Sequence, residues 1–231
     1  MDNNVILTGE NISKIYQNGK NESFPALDNV SIEIPRSKLT IIKGRSGSGK
    51  TTLINMLSGL DSPTSGTIRM NDVCINEMNI NELEDYRRTH MGFVFQSVAL
   101  FPIMSAYENV DFALRLAEYK DNRDERIKEA MSMVGIEERM KHNPEEMSGG
   151  EQQRVAIARA IAPKPDVVFA DEPTGALDTE NGIKVVSLFK HLIEKEGITI
   201  IMTTHDPGLM QMGDRVLEMN DGKIINSIDN N

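Results

Sequence analysis

The stretch Gly44-Arg45-Ser46-Gly47-Ser48-Gly49-Lys50-Thr51 constrains this chain more than any other, because it fits the spacing G-x-x-x-x-G-K-S/T and directly follows an apolar run, Leu39-Thr40-Ile41-Ile42. The run reads as a buried strand, and Leu53, Ile54, Met56 and Leu57 beyond the loop have the spacing of a helix's core face. Glycines at 44, 47 and 49 let the backbone bend until its N–H groups converge, and a helix beginning near Lys50 adds the positive end of its dipole. A polyphosphate suits that nest. Lys50 reaches the terminal phosphates as a point charge, and the Thr51 hydroxyl offers an oxygen to Mg2+, which keeps most of its ligands as water and phosphate oxygen. The loop therefore predicts a nucleotide site, whereas a plain glycine-rich turn needs neither the strand before it nor the helix after it.

Length and charge narrow the setting. A chain of 231 residues can form one large α/β domain, or a domain with a small subdomain, without a disulfide staple. The single cysteine, Cys74, lies between Val73 and Ile75 and predicts a packed thiol in a reducing cytoplasm. The opening Met1-Asp2-Asn3-Asn4 is not a basic-then-apolar signal, and no apolar run has the length of a membrane span, so a soluble chain is expected. A net charge of −10 argues against a broad nucleic-acid face, and no nucleic-acid partner is expected. The fourteen methionines are scattered over helical and strand positions, which favours core filling over a soft binding groove.

Upstream of the loop, Val5-Ile6-Leu7, Ile12-Ser13-Lys14-Ile15-Tyr16 and Leu27 to Ile34 alternate and predict short antiparallel strands, with a polar loop over Gly19-Lys20-Asn21-Glu22-Ser23. Tyr16 reads first as a packed aromatic, since one ring in a strand says little about a ligand. After the phosphate helix, Thr67–Met70 and Asp72–Ile75 predict a hairpin bent near Asn71, and residues 81–90 a short charged helix. Met91-Gly92-Phe93-Val94-Phe95 predicts a buried strand that leaves Gln96 at its end. From Ser105 to about Lys141 the pattern is helical, and the mixed-charge run Asp121 to Arg126 reads as a solvated corner between two helices.

Pro144 ends that pattern, and Ser148-Gly149-Gly150 precedes the strongly helical Glu151 to Ala160. An ordinary serine N-cap explains this segment, and a second anion site at a helix N-terminus is the alternative. Next, Val167-Val168-Phe169-Ala170 runs into Asp171 and Glu172, as a buried parallel strand does when it delivers acids to the C-terminal edge where ligands bind. Beside a phosphate loop, the first acid can hold Mg2+ through water and the second can polarise an attacking water. A further strand, Ile198 to Met202, ends at Thr203-Thr204-His205 and puts a histidine on the same edge. Arg215–Met219 and Lys223–Ile225 flank the hairpin signal Asn220-Asp221-Gly222, and the tail from Ser227 to Asn231 is expected to fray.

With these residues in place, the chain resembles the nucleotide-binding domain of an ABC ATPase, from Tyr16 to Ile225. The resemblance implies an α/β fold of the P-loop NTPase class and ABC type: a RecA-like mixed-sheet core, an N-terminal antiparallel β layer and an inserted helical subdomain. It implies one domain over residues 1–231, with the core at about 1–95 and 163–231 and the helical subdomain at about 96–162. Gly44, Arg45, Ser46, Gly47, Ser48, Gly49, Lys50, Thr51 and Thr52 then bind the phosphates of ATP, and Thr51, Gln96 and Asp171 serve Mg2+. Glu172 matches the catalytic glutamate and His205 the switch histidine, with Lys50 and Gln96 completing the catalytic set. Ser148, Gly149, Gly150 and Glu151 match the family signature, which moves Ser148 from cap to γ-phosphate ligand, and Asp178 matches the loop Ala176-Leu177-Asp178 that follows the acids. Tyr16 matches the aromatic that stacks on adenine, which reverses its first reading. Departures from commoner forms at Arg45, Met147 and Ala176 remove no chemical group.

What this implies for function is an ATPase subunit that closes head to tail with a second copy around two MgATP and drives a separate membrane-spanning permease from the cytoplasmic face of the membrane. The run Ala170 to Gly175, together with Phe93-Val94-Phe95-Gln96, looks most like the ATPases of lipoprotein-release and macrolide or antimicrobial-peptide export systems. An ATP-driven clamp that controls a membrane protein without transport is the alternative. A DNA-repair ATPase of this type would carry a coiled-coil or zinc insertion and a basic face, and the sequence has neither.

Overall fold

The computed structural model describes residues 4–18, 22–175 and 177–230. Gly19, Lys20 and Asn21 of the expected polar loop, Ala176, and the chain ends at residues 1–3 and 231 lie outside the described residues.

The chain opens with β1 (Val5–Asn18) and β2 (Glu22–Pro35), paired antiparallel along their length. Val5–Leu7 and Ile12–Tyr16, expected as separate strands, are one strand: the register shifts between Gly9 and Ile12, where Asn11 has φ 51°, so the alternation breaks while the ladder continues. Glu22 and Ser23 belong to β2, not to a loop. The phosphate segment follows β3 (Leu39–Lys43) and leads into α1 (Lys50–Leu57). The hairpin β4 (Ser65–Met70) and β5 (Val73–Cys74) then completes a four-stranded antiparallel sheet in the order β2-β1-β4-β5. Cys74 on its edge is free and only partly buried, since among the described residues no further strand pairs with β5.

After α2 (Ile80–His90) and β6 (Met91–Val94) come three helices, α3 (Ala106–Leu116), α4 (Arg123–Met133) and α5 (Gly149–Ile161), that pack on one another. The chain returns through β7 (Val167–Ala170), α6 (Thr179–Glu196) and β8 (Thr199–Thr204), and ends in the hairpin β9 (Arg215–Asn220) and β10 (Lys223–Asp229). The tail is ordered further than expected, because β10 pairs as far as Asp229 with Arg215. These strands form a six-stranded sheet, β10-β9-β3-β8-β7-β6, parallel except for the last hairpin.

The core has two halves, one on each face of that sheet. Ile41, Val168, Ala170, Ile200 and Met202 point toward the helices, while Ile42, Val167, Phe169, Ile201 and Leu217 point toward α1 and the antiparallel sheet. Successive residues of each strand therefore serve opposite halves, which is why these strands read as unbroken apolar runs. Buried methionines, among them Met56, Met131, Met202 and Met219, fill both halves. Among the described residues no helix is long and apolar enough to cross a membrane.

The charge run from Asp121 to Arg126 is a solvated corner except at its end: Asp121, Asn122, Asp124 and Glu125 are exposed, and Arg126 is buried. Asn122 caps α4, and Arg126 in its first turn is 2% exposed. Its guanidinium donates to the carbonyls of Ile161 (2.9 Å) and Ala162 (2.8 Å) and to Glu129 (2.7 Å) and Glu196 (2.9 Å). The last carbonyls of α5 lack donors within their own helix, and Arg126 supplies them while its two carboxylates offset the buried charge.

Candidate active site

Parallel register sets which residues meet. Lys43 pairs with Thr204, Ala170 with Met202, and Val94 with Ala170, so the segments after β3, β7, β8 and β6 leave the sheet at one edge. Gly44–Thr51, Asp171–Glu172, His205 and Gln96 start there. In a parallel sheet this is the edge where ligands bind.

The loop needs glycine for two different reasons. A Cβ on Gly44 would lie 2.4 Å from Ser48 Oγ and 2.6 Å from the Met219 carbonyl oxygen, so Gly44 is a matter of space. Gly47 has φ +79° with open space around it, so there the backbone conformation alone demands glycine. Within the curve, Lys50 is 5% exposed; its Nζ donates to the carbonyls of Gly44 (3.0 Å) and Arg45 (3.2 Å) and lies 3.4 Å from Glu172 Oε1. Ser48 Oγ is buried without a hydrogen-bond partner among the described residues, and Arg45, Ser46, Gly47 and Thr51 are exposed at the mouth. A cradle closed to a methyl group at Gly44 yet holding an orphan hydroxyl fits a phosphate chain.

On the acid side, Thr51 Oγ1 donates to Asp171 Oδ2 (2.9 Å) and Thr203 Oγ1 donates to Asp171 Oδ1 (2.6 Å). Hydroxyl and carboxylate oxygens are the donors Mg2+ prefers, and no group of three or more His, Cys, Asp or Glu side chains suited to a metal occurs among the described residues. A cation here would take its remaining ligands from nucleotide and water, so the set fits phosphate-anchored Mg2+.

Glu172 sits at φ 44°, a left-handed conformation that costs a non-glycine residue on the order of 1 kcal/mol. Its N–H donates to Thr203 Oγ1 (2.8 Å), and its carboxylate lies between Lys50 Nζ on Oε1 and His205 Nδ1 on Oε2, each at 3.4 Å. The strained backbone turns the acid back over the loop. A polar cavity of about 80 Å³, lined by Glu172, Thr174, Asp178 and His205 among others, adjoins it and can hold water. Thr203, fully buried, was not singled out from sequence; a hydroxyl residue at the end of an apolar strand, level with the acids, is the signal that finds it. Thr203→Val should remove two hydrogen bonds to the acid segment, destabilise the protein by roughly 2 kcal/mol and slow hydrolysis about tenfold. Thermal unfolding and single-turnover rates check both; unchanged hydrolysis would deny Thr203 its positioning role.

The other predicted residues lie around this centre. Gln96 is exposed and makes no hydrogen bond to Thr51 or Asp171 among the described residues; its Nε2 would be 3.1 Å from a Cβ on Gly175. Asp178 caps α6, accepting from Asn181 N (2.9 Å), and that backbone N–H holds its carboxyl below the usual range. Tyr16 is 39% exposed, so the packed reading does not hold; its hydroxyl donates to Asp61 Oδ2 (3.0 Å). Thr52 is half-buried in the first turn of α1.

Ser148 is the N-cap of α5. Its Oγ accepts from Glu151 N–H (3.3 Å) and donates to Glu151 Oε2 (2.8 Å), and Arg139 Nε donates to Glu151 Oε1 (2.7 Å). The Ser148 N–H, then its hydroxyl, then Arg139 hold the Glu151 carboxyl down to about 2. No hydrogen bond or ion pair joins this segment to Gly44–Thr51 among the described residues.

Residues 27–175 match the family model described as ABC transporter. The chain is similar to the ABC transporter ATP-binding protein MJ0796 of Methanocaldococcus jannaschii, with 41% identity over 220 residues covering 93% of each chain. It is 40% identical over 215 residues to the macrolide export ATP-binding/permease protein MacB of Hahella chejuensis, covering 93% of this chain and 33% of that longer protein. Among solved structures, the dimeric post-hydrolysis state of MJ0796 bound to ADP and Pi superposes with a TM-score of 0.89 at 36% identity, covering 98% of this chain and 99% of that one.

Proposed function

We propose a cellular role for this chain, which belongs to the ABC transporter family and is one of its ATP-binding, ATP-hydrolysing domains. It pairs head to tail with a second copy, each closing its Ser148-Gly149-Gly150 segment over the other's phosphate loop, and it works on the cytoplasmic face of the membrane for a permease carried on a separate chain. The export type is the subfamily we favour, on the likeness to MacB and the run Ala170 to Gly175.

One observation carries the pairing. A Cβ at Gly149 or at Gly150 would meet nothing within 4 Å among the described residues, and neither residue has a positive φ, so nothing described in this chain requires glycine there. Two bare residues on an exposed helix N-terminus leave room for an outside group to approach the backbone N–H groups, and an anion is the group that end attracts.

Within each closed site, Glu172 orients and deprotonates the attacking water, and His205 contacts the γ-phosphate and steadies the Glu172 carboxylate. Lys50 leaves the Gly44 and Arg45 carbonyls for the β- and γ-phosphates and takes up charge as it develops. Thr51, Asp171 and Gln96 would hold Mg2+, which when bound would neutralise phosphate charge. The Gly44–Thr52 backbone and side chains bind the phosphate chain, Tyr16 stacks on the base, Asp178 serves the interface, and Gln96 relays occupancy to the helices of residues 96–162. A groove of about 360 Å³ floored by Phe93, Phe101, Phe112 and Leu116, with Arg87 and Arg88 beside it, offers the permease a docking face.

Purification of the tagged chain from detergent-solubilised membranes, with the bound membrane protein identified, tests this role. A copurifying multi-span protein whose presence raises ATP turnover is the expected result; a chain that recovers no membrane protein and hydrolyses ATP at full rate alone overturns it.

A further inference from the structure

Tyr16 stands near the C-terminal end of β1, partly in solvent, with Ile15 and Phe24 also exposed. A tyrosine in that position has a free choice of side-chain rotamer unless something holds it. Two contacts hold this one. The hydroxyl donates to Asp61 Oδ2 at 3.0 Å. Lys14, two residues earlier and so on the same strand face, places its Nζ 4.9 Å from the ring centroid, within cation–π range. Lys14 Nζ also donates to Asp61 Oδ1 (2.8 Å) and to the Ser62 carbonyl (2.7 Å), and Ser62 N–H donates to Asp61 Oδ1 (2.7 Å), so the carboxylate that grips the ring is itself held by two further donors.

The turn carrying Asp61 is stitched to both neighbours. Thr64 N–H donates to the Ser13 carbonyl (2.8 Å) and Thr64 Oγ1 accepts from Ile15 N–H (3.0 Å), which ties it to β1. Leu60 N–H and Asp61 N–H both donate to the Asn55 carbonyl, at 2.9 and 3.1 Å, which ties it to α1. That helix begins at Lys50 and Thr51, so the ring's anchor and the phosphate loop ride on one rigid element.

We propose that Asp61 and Lys14 position the Tyr16 ring, with the Lys14 ammonium over one face and the other face presented to a purine, at a separation from the phosphate loop set by α1. This rests on the reading of Tyr16 as the aromatic that stacks on the base. Asp61 acts through Tyr16 and is a positioning residue. Burial by itself raises the Asp61 carboxyl, but the hydrogen bonds from Lys14, Ser62 and Tyr16 outweigh it and hold the group below the usual carboxylate range. Burial first, and then the Asp61 hydrogen bond, raise the Tyr16 phenol, with Thr52 on α1 opposing; donor and acceptor thus keep their roles at neutral pH.

The test compares binding of ATP with binding of inorganic tripolyphosphate, which has the phosphates and no base, by calorimetry with Mg2+ present. Asp61→Ala and Tyr16→Phe should each weaken ATP by about three- to tenfold, the scale of one hydrogen bond, and leave tripolyphosphate unchanged. Their combination should be no worse than either, because both remove the same bond. Asp61→Asn, which keeps an acceptor oxygen, should recover most of the loss, and KM for ATP should rise by more than kcat falls. Tyr16→Ala should cost ATP about 10- to 100-fold, the scale of base stacking. If Tyr16→Ala selectively weakens ATP while Asp61→Ala and Tyr16→Phe do not, the positioning proposal fails and stacking stands. If Tyr16→Ala leaves the ratio of the two affinities unchanged, the stacking reading fails and takes the proposal with it. If Asp61→Ala weakens ATP and tripolyphosphate alike, Asp61 is a fold residue only and the proposal is overturned.

Discussion

Glu172→Gln should lower steady-state ATP hydrolysis by roughly two orders of magnitude or more, the usual scale for losing a general base, while ATP binding is kept. The amide has the same shape and keeps the position that Thr203 gives it through the Glu172 N–H, but it cannot take a proton. Affinity for ATP should hold or rise. In this structure the Glu172 carboxylate lies 3.4 Å from Lys50 Nζ, so it competes with phosphate for that ammonium, and the amide competes less. Binding without turnover should make a dimer accumulate in ATP, visible by size exclusion or light scattering. Near-normal hydrolysis would remove Glu172 from the role of base, and a loss of ATP affinity equal to the loss of rate would recast it as a binding residue.

The second large effect is expected from mixing two inactive variants. Lys50→Ala removes the phosphate-binding ammonium, and Ser148→Arg puts a long side chain where the outside phosphate is to approach, so each homodimer has two damaged sites. In the mixed dimer the Ser148→Arg chain offers an intact phosphate loop to the intact Ser148 segment of its Lys50→Ala partner. One whole site returns and the other is doubly damaged. Hydrolysis should therefore recover partly in the mixture, toward the activity of one site in two, and a tagged pull-down in ATP should show that mixed dimers form. Mixed dimers that neither occlude nor hydrolyse nucleotide would favour a site completed within one chain. The structure gives the experiment its logic: Ser148 is occupied at home by Glu151, which Arg139 holds, and makes no hydrogen bond to the loop it is proposed to complete.

The phosphate loop, the acids after β7 and the histidine after β8 were legible in the sequence because each is a local pattern. An apolar run, a glycine spacing or a charge at a strand end needs only neighbouring residues to be recognised, and parallel pairing then carries all such strand ends to one edge. The antiparallel layer, the buried strands and the helices between β6 and β7 followed from the same periodicities, while the mixed sheet they join was expected from the family resemblance. What the sequence could not reveal depends on partners far along the chain. Arg126 lies in a mixed-charge run that looks solvated, and only the packing of α4 against the ends of α5 and α6 turns it into a buried cap for Ile161 and Ala162. Thr203 looks like any β-branched strand residue until register sets its hydroxyl against Asp171 and the Glu172 N–H. Lys14 and Asp61 are unremarkable charges until the turn after α1 meets β1 and closes them on the Tyr16 ring. Local chemistry thus determined which candidate groups the chain carries; the long-range contacts, fixed by strand register and helix packing, decided which of them are brought together and held in place.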